Sequence, residues 1–272
     1  MWSRLPLLAV LSGAGLVCGC SGTTRPMPPL TASQLNLAQD EVQSHASEGM
    51  PFRNHVTDED ATTVLRSAVE RITPAATQTC REMAIGECRW TISGSSDRSL
   101  NIAIGPNGLI VINRGVMEYA ANEEEVAVVV ARGFGHHSAS HYASRRRSQM
   151  AGSLLGTIVM TAVSVVVPPL GMVTGLIQTA VDSGVNVASG AHAASYTKDQ
   201  EREAIWLAAI ILYRAGVDLE KARVMLVTMA RVQGDKDSGM MNTQLSGPER
   251  LAAWDEAVRQ IRALNGQLPP RP

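Results

Sequence analysis

Histidines are the residues of this chain best suited to chemistry. Residues 131–141 read Ala-Arg-Gly-Phe-Gly-His-His-Ser-Ala-Ser-His, so His137 and His141 stand four apart with His136 just before them. Side chains four apart on a helix project from one face at roughly 6 Å, close enough to share a metal ion. No glutamate follows His137, so the pair lacks a carboxylate to take a proton from metal-bound water. The alternative for both is a solvated role, or one supporting a site from outside. His45, His55 and His192 have no partner at an informative spacing and are expected at the surface.

Four cysteines carry the remaining reactive chemistry. Arg4 followed by the apolar stretch Leu5 to Val17 and then small residues has the pattern of a secretory signal, too short to span a bilayer. Val17-Cys18-Gly19-Cys20 resembles a bacterial lipobox, which puts a lipid on Cys20. Cys18 fits less well, and an ordinary cleaved signal is the competing reading. In an oxidising envelope Cys80 and Cys88 are expected to form a disulfide, because their spacing is not that of a zinc clip.

These groups need elements to position them. The 272 residues are 45% hydrophobic with a formal net charge of −1, enough for one large core or two small ones. The near-neutral charge and 4% aromatic content argue against a nucleic-acid partner. Residues 1–19 read as the signal, 20–55 as a tether with a weak helix near Ser33 to Ser47, 56–265 as the folded domain and 266–272 as a tail. Asp58 opens a helix whose Val64, Leu65, Ala68, Val69 and Ile72 share one stripe, with an end expected at Thr73-Pro74. Strand-like runs follow at Arg89 to Ser93, Leu100 to Ile104 and Leu109 to Asn113, the last two joined by Gly105-Pro106-Asn107-Gly108. Asn122 begins a helix expected to run to about Arg147, with Arg145-Arg146-Arg147 as its solvated end. Residues 151–189 are Gly-, Ala- and Val-rich around Pro168-Pro169 and read as a hydrophobic helical hairpin, a membrane span being the lesser alternative. Helices are expected at Asp199 to Arg214, Asp218 to Gln233 and Pro248 to Leu264. The whole is an α+β fold, mostly helical, with a small antiparallel sheet.

Several of these segments resemble one family. Asn101-Ile-Ala-Ile-Gly-Pro-Asn-Gly-Leu-Ile-Val-Ile-Asn-Arg-Gly115, followed by the Asn122 to His141 run, is similar to the strand pair and active-site helix of HtpX-like and CAAX-prenyl-protease-like zinc metallopeptidases. Lys198 to Ala209 and Arg214 to Asp218 resemble the family's third-ligand helix and its end. The likeness covers roughly residues 60–262 and, with the lipobox, resembles the BepA-like envelope lipoprotein branch. It implies a zincin-like peptidase domain.

The family motif has two zinc-binding histidines four apart, a general-base glutamate after the first, and a ligand glutamate from a second helix. The matching positions here are Arg132, Gly133, His136 and Glu201, with Glu203 nearby. Ile205 replaces the acid that supports a ligand histidine, and Thr243-Gln244-Leu245 stands where the family often has Thr-His-Pro. A guanidinium has no lone pair for zinc, and a glycine has no carboxylate. The resemblance thus implies remnant ligands His136 and Glu201, with no intact catalytic residue. Arg132 is expected to pair with Glu201 in the metal's place, the alternative being that both point to water. Gly133 and Gly135 are expected either to permit close packing of the hairpin or to mark a kink near Phe134.

The functional expectation is a catalytically degenerate peptidase, without cofactor, that binds unfolded or nascent envelope proteins. It would be lipid-anchored on the periplasmic face of the outer membrane. The strand after the Pro106-Asn107-Gly108 turn is expected to be the edge to which extended peptides add. One alternative is an active zinc metalloendopeptidase using His136, Glu201 and His137 or His141, with Glu203 in reserve. A purely structural lipoprotein is another.

Overall fold

The computed structural model describes residues 23–25, 27–85, 88–153, 196–233 and 245–268. The expected signal peptide, Cys18, Cys20, His192, Thr243, Gln244 and most of the expected hairpin lie outside them. In chain order the described elements are α1 (Ala32–Ser44), a 3-10 turn (His45–Glu48), α2 (Asp58–Met83), β1 (Thr91–Ser95), β2 (Ile102–Ile104) and β3 (Leu109–Asn113). The helices α3 (Arg114–Tyr119), α4 (Glu123–Ser138), α5 (His141–Ser153), α6 (Lys198–Arg214), α7 (Leu219–Gln233) and α8 (Gly247–Ala263) complete them.

Thr57 caps α2 by accepting from the Asp60 amide at 3.1 Å. The expected stop at Pro74 is wrong, for α2 continues three turns beyond it. Proline removes one amide and crowds the preceding turn, which normally ends or kinks a helix. Here Ala75, Ala76, Thr79, Cys80 and Met83 are buried after it, so tertiary packing outweighs the local penalty. Cys80 and Cys88 form a disulfide with Cα atoms 5.7 Å apart, tying the end of α2 to the chain entering β1.

The sheet is mixed rather than purely antiparallel, in the order β1-β3-β2. β2 and β3 are the expected antiparallel pair, while β1 joins β3 in parallel. Asn107 and Gly108 take φ of 54° and 77°, the left-handed geometry of a tight hairpin turn. Consequently β3, read from sequence as an edge, is the central strand. Its Ile110, Val111, Ile112 and Asn113 are all buried, as a strand covered on both faces requires. One edge belongs to its hairpin partner. Gly105 donates to the Leu109 carbonyl and the Asn113 amide to the Asn101 carbonyl, so alternation pairs Ala103 inward with Val111. The main-chain groups of Ile102 and Ile104 therefore point away from the sheet.

α4 and α6 form the centre of the core, buried on nearly every side. Gly133 and Gly135 allow α4 its close approaches to β3 and α6, while the expected packing against the hairpin lies outside the described residues. A Cβ on Gly135 would lie 2.6 Å from the Ala204 carbonyl oxygen of α6, and one on Gly133 would lie 2.7 Å from Ile110 Cγ2 of β3. The expected single helix from Asn122 to Arg147 is two. α4 stops at Ser138, Ser140 turns with φ of 54°, and α5 starts at His141. Arg145 to Arg147 thus lie inside α5, not at a helix end.

Residues 27–55 lie on the domain rather than hanging from it. Thr31 and Gln34 make a capping box for α1, and Arg223 of α7 bridges Glu41 of α1 and Asp255 of α8 at 2.6 Å each. Downstream, the buried Glu118 of α3 gathers three arginines. It accepts from Arg53 at 2.6 Å, Arg98 at 3.1 Å and Arg114 at 3.2 Å. Burial works against its charge, but Arg53 and Arg98 outweigh that and hold the carboxyl below the ordinary range. A depressed folded-state value stabilises the fold above the unfolded value of about 4.3 and loses that contribution as pH falls through the folded one. Glu118→Gln is therefore expected to cost about 2 kcal/mol at neutral pH in denaturant titrations. The difference from wild type should shrink steadily below about pH 4; one that persists undiminished at pH 2 would contradict the charge-based account.

Candidate functional site

Two helices bring the candidate residues together. α4 presents Arg132 and His136 on one face, one turn apart, and α6 presents Glu201 and Glu203 from its first two turns. A capping box of Thr197 and Gln200 fixes the start of α6 and hence the height of Glu201. Arg132 Nε donates to Glu201 Oε2 at 3.0 Å and Nη2 donates to Oε1 at 3.3 Å, a two-pronged contact. The side chains are 13% and 6% exposed, so this pair is taken largely out of water. Burial disfavours the Glu201 charge, but the Arg132 guanidinium beside it holds the carboxyl well below the usual range.

Beyond Glu201 a buried chain of hydrogen bonds continues. His136 Nε2 stands 3.6 Å from Glu201 Oε1, His136 Nδ1 is 3.1 Å from His141 Nδ1, and His141 Nε2 is 2.9 Å from Glu203 Oε2. Both imidazoles are wholly buried. Burial pushes His136 down to about 4, against the pull of Glu201, so it is neutral at pH 7. The tautomers follow from the partners. Glu203 accepts the hydrogen bond from His141 Nε2–H, and a neutral His141 then accepts at Nδ1 from His136 Nδ1–H. That leaves the His136 Nε2 lone pair facing Glu201, and this nitrogen has no hydrogen-bond partner.

Tyr196 and Arg250, which sequence reasoning did not single out, and Arg145, expected at a solvated helix end, complete the surroundings. Tyr196 stacks on His136 with ring centroids 4.1 Å apart, and the Arg145 guanidinium lies over the Tyr196 ring at 4.8 Å. Burial pushes the Tyr196 hydroxyl up to about 12, so it stays a donor. Arg250 of α8 is buried and reaches the Leu245 carbonyl at 3.4 Å; burial, and then the like charge of Arg132, bring it down to about 10. No periodicity in the sequence marks these residues, because they reach the site across helices distant in the chain. Tyr196 carried one usable signal, its place directly before the Thr197 cap.

The other expected residues divide. His137 turns away, its Nε2 3.1 Å from the Leu109 carbonyl, while His141 is inside the cluster. The two therefore share no ligand, four-residue spacing notwithstanding. Neither is solvated, for His137 is mostly buried and His141 wholly so, and His141 has the other expected role, supporting His136 from outside at 3.1 Å. His45 lies 3.0 Å from Glu48, and His55 is exposed. Gly133 points at Ile110 with no room for a larger residue.

Among the described residues no group of three or more His, Cys, Asp or Glu side chains is placed to hold a metal ion. Among the described residues around Glu201, the lone pairs on offer are its own and that of His136, while Arg132 supplies only N–H groups. Both ring nitrogens of His141 are engaged. This donor set does not fit a catalytic zinc, which takes three protein ligands and a water.

The helices, the small sheet and the paired site helices are those of a zincin-like peptidase domain. The sequence profile of peptidase family M48 matches residues 65–258, most of the chain, and the protein belongs to that family. No curated protein is similar enough to count as a match.

Removing one member of a buried pair strands the other charge. Arg132→Ala is expected to destabilise the fold by about 3–5 kcal/mol in equilibrium denaturation. Arg132→Met combined with Glu201→Leu should lie much closer to wild type, since no lone charge remains. A loss below about 1 kcal/mol for Arg132→Ala would mean that the pair is effectively solvated.

Proposed function

We propose that this chain is an HtpX-like envelope lipoprotein whose peptidase site has become a binding scaffold rather than a catalyst. The observation that carries the reading is the Arg132 guanidinium, held on Glu201 at 3.0 and 3.3 Å where the family places a metal. A fixed cation there satisfies the buried carboxylate and activates no water. Gly133 supports the reading independently. The family's general base belongs at this position, and its Cβ alone would meet Ile110 at 2.7 Å.

On this reading the retained activity is capture of extended segments of unfolded or nascent envelope proteins. The outward main-chain groups of Ile102 and Ile104 on β2 suit the addition of an extended strand, with register set by side-chain alternation. Cys20 carries the lipid that holds the protein at the periplasmic face of the outer membrane. A second reading, an active zinc endopeptidase, draws on one feature: the His136 Nε2 lone pair and Glu201 converge at 3.6 Å with no hydrogen bond between them.

Elemental analysis of the purified full chain separates the two. Substoichiometric zinc is expected, and a full equivalent that disappears in His136→Ala would overturn the scaffold reading. Arg132→His with Gly133→Glu should fail to restore zinc binding unless Ile110→Ala is added to make room. Zinc uptake by the double variant alone would show that Ile110 is no obstacle.

Strand addition has its own test. Proline is tolerated where an edge-strand amide faces outward. Ile104→Pro is therefore expected to weaken binding of a reduced, alkylated, unfolded protein by at least about tenfold, some 1.4 kcal/mol. Ile104→Ala, which keeps the amide, should bind nearly as wild type does. Equal loss in both would assign the effect to the side chain and reject pairing at this edge.

A further inference from the structure

Residues 23–25 reach the buried end of the site cluster from far away in sequence. The Thr24 amide donates to both oxygens of Glu203, at 3.1 and 2.9 Å, across a separation of 179 residues. The Thr24 hydroxyl donates to Glu203 Oε1 as well. Glu203 is wholly buried, and the next residue of the segment, Arg25, is only 6% exposed. The third donor on the Glu203 carboxylate is His141 Nε2, at 2.9 Å, which leads through His136 to Glu201 and Arg132.

This arrangement differs from a surface contact in what it demands. A carboxylate stripped of water requires its lone pairs filled, and leaving them empty is costly. α6 and α5 supply one donor, from His141, and the N-terminal segment supplies the amide and the hydroxyl. With the segment gone, Glu203 would present unfilled acceptors where the Thr24 amide and hydroxyl now sit, next to the place of the buried Arg25. Those acceptors select a main-chain N–H and an adjacent hydroxyl, which are presented together by a serine or threonine in an extended peptide.

We infer that Glu203 and His141 form a peptide-binding subsite for an extended segment with a Ser or Thr followed by Arg, and that residues 23–25 occupy it in cis. The segment is then a competitor tethered to its own site, and a client enters by displacing it. Tethering raises its effective concentration to the millimolar range, so cis occupancy dominates until a client is presented at high local concentration. This goes beyond the scaffold reading and holds for a catalyst equally. One corollary does rest on the lipoprotein reading. Cys20 precedes Thr24 by four positions, at most about 14 Å of extended chain, so a lipid there would hold the subsite against the headgroups.

Two measurements on the full chain test the inference. In wild type, amide hydrogen exchange at Thr24 should be slowed at least about a hundredfold relative to an unstructured chain. Exchange at the unstructured rate would overturn cis occupancy. A dye-labelled peptide of residues 21–30 is then titrated, by fluorescence anisotropy, into wild type and a Thr23→Gly, Thr24→Gly, Arg25→Gly chain. The glycine variant should bind it at least about tenfold more tightly than wild type, and the same peptide with Thr24→Pro should not bind. Absence of binding to the variant at millimolar peptide, or equal binding of the proline peptide, would overturn the subsite. Should the variant fail to fold, the wild-type exchange measurement decides alone.

Discussion

A carboxylate at Glu201, taken out of water between two helices, must have a cation within contact distance or lose its charge. Everything around the site follows from that demand. α4 and α6 approach closely because Gly135 offers no Cβ to the Ala204 carbonyl, where one would stand 2.6 Å away. That approach removes water from the residues one turn earlier on each helix, Arg132 on α4 and Glu201 on α6. A guanidinium serves the carboxylate better than an ammonium there, because its planar fork meets both oxygens and its charge survives burial. The ion pair and the helix contact are two aspects of one packing arrangement.

The remaining polar groups follow the same logic with weaker partners. His136 is too deeply buried to carry charge comfortably, so it passes a hydrogen bond along to His141 rather than neutralising anything. The chain from Glu203 through both imidazoles ends on a lone pair opposite Glu201, an unfavourable meeting that Arg132 on the other side of the carboxylate makes tolerable. Two donors facing each other across a short gap, as His136 Nε2 and Glu201 do at 3.6 Å, are what a cation between them would require. On the proposed reading this is inherited geometry, now organised around a different cation.

Much of this was legible in the sequence, and the gaps have physical causes. Helices α6, α7 and α8 could be placed within a residue or two because each opens with a capping side chain, Thr197, Asp218 or Ser246. The β2–β3 hairpin was legible from Asn107-Gly108, which takes the φ values such a turn needs. Pro74 and Ser140 misled in opposite directions, because burial carried α2 through a proline while a residue with no breaking propensity ended a helical run. The partner of β3 across the sheet could not be read at all. Parallel pairing with β1 is a contact between distant segments, and no local pattern encodes it. Arg132 and Glu201 were legible from their spacing against the family motif, whereas Tyr196, Arg250 and Thr24 reach the cluster across the fold.

The central position of β3 matters beyond topology. A strand buried on both faces and paired on both edges cannot accept a client, so an added chain must use an edge strand, β2 or β1. β3 meanwhile presses Ile110 against α4 at Gly133. The absence of a side chain at residue 133 and the absence of space for one are thus one structural fact rather than two. Once a helix has settled onto a strand through a glycine, restoring a long side chain means pushing the two apart, and the cost of overpacking a close-fitted core is typically about 1–3 kcal/mol. Packing in this sense keeps residue 133 a glycine, one turn before His136 on the same helix.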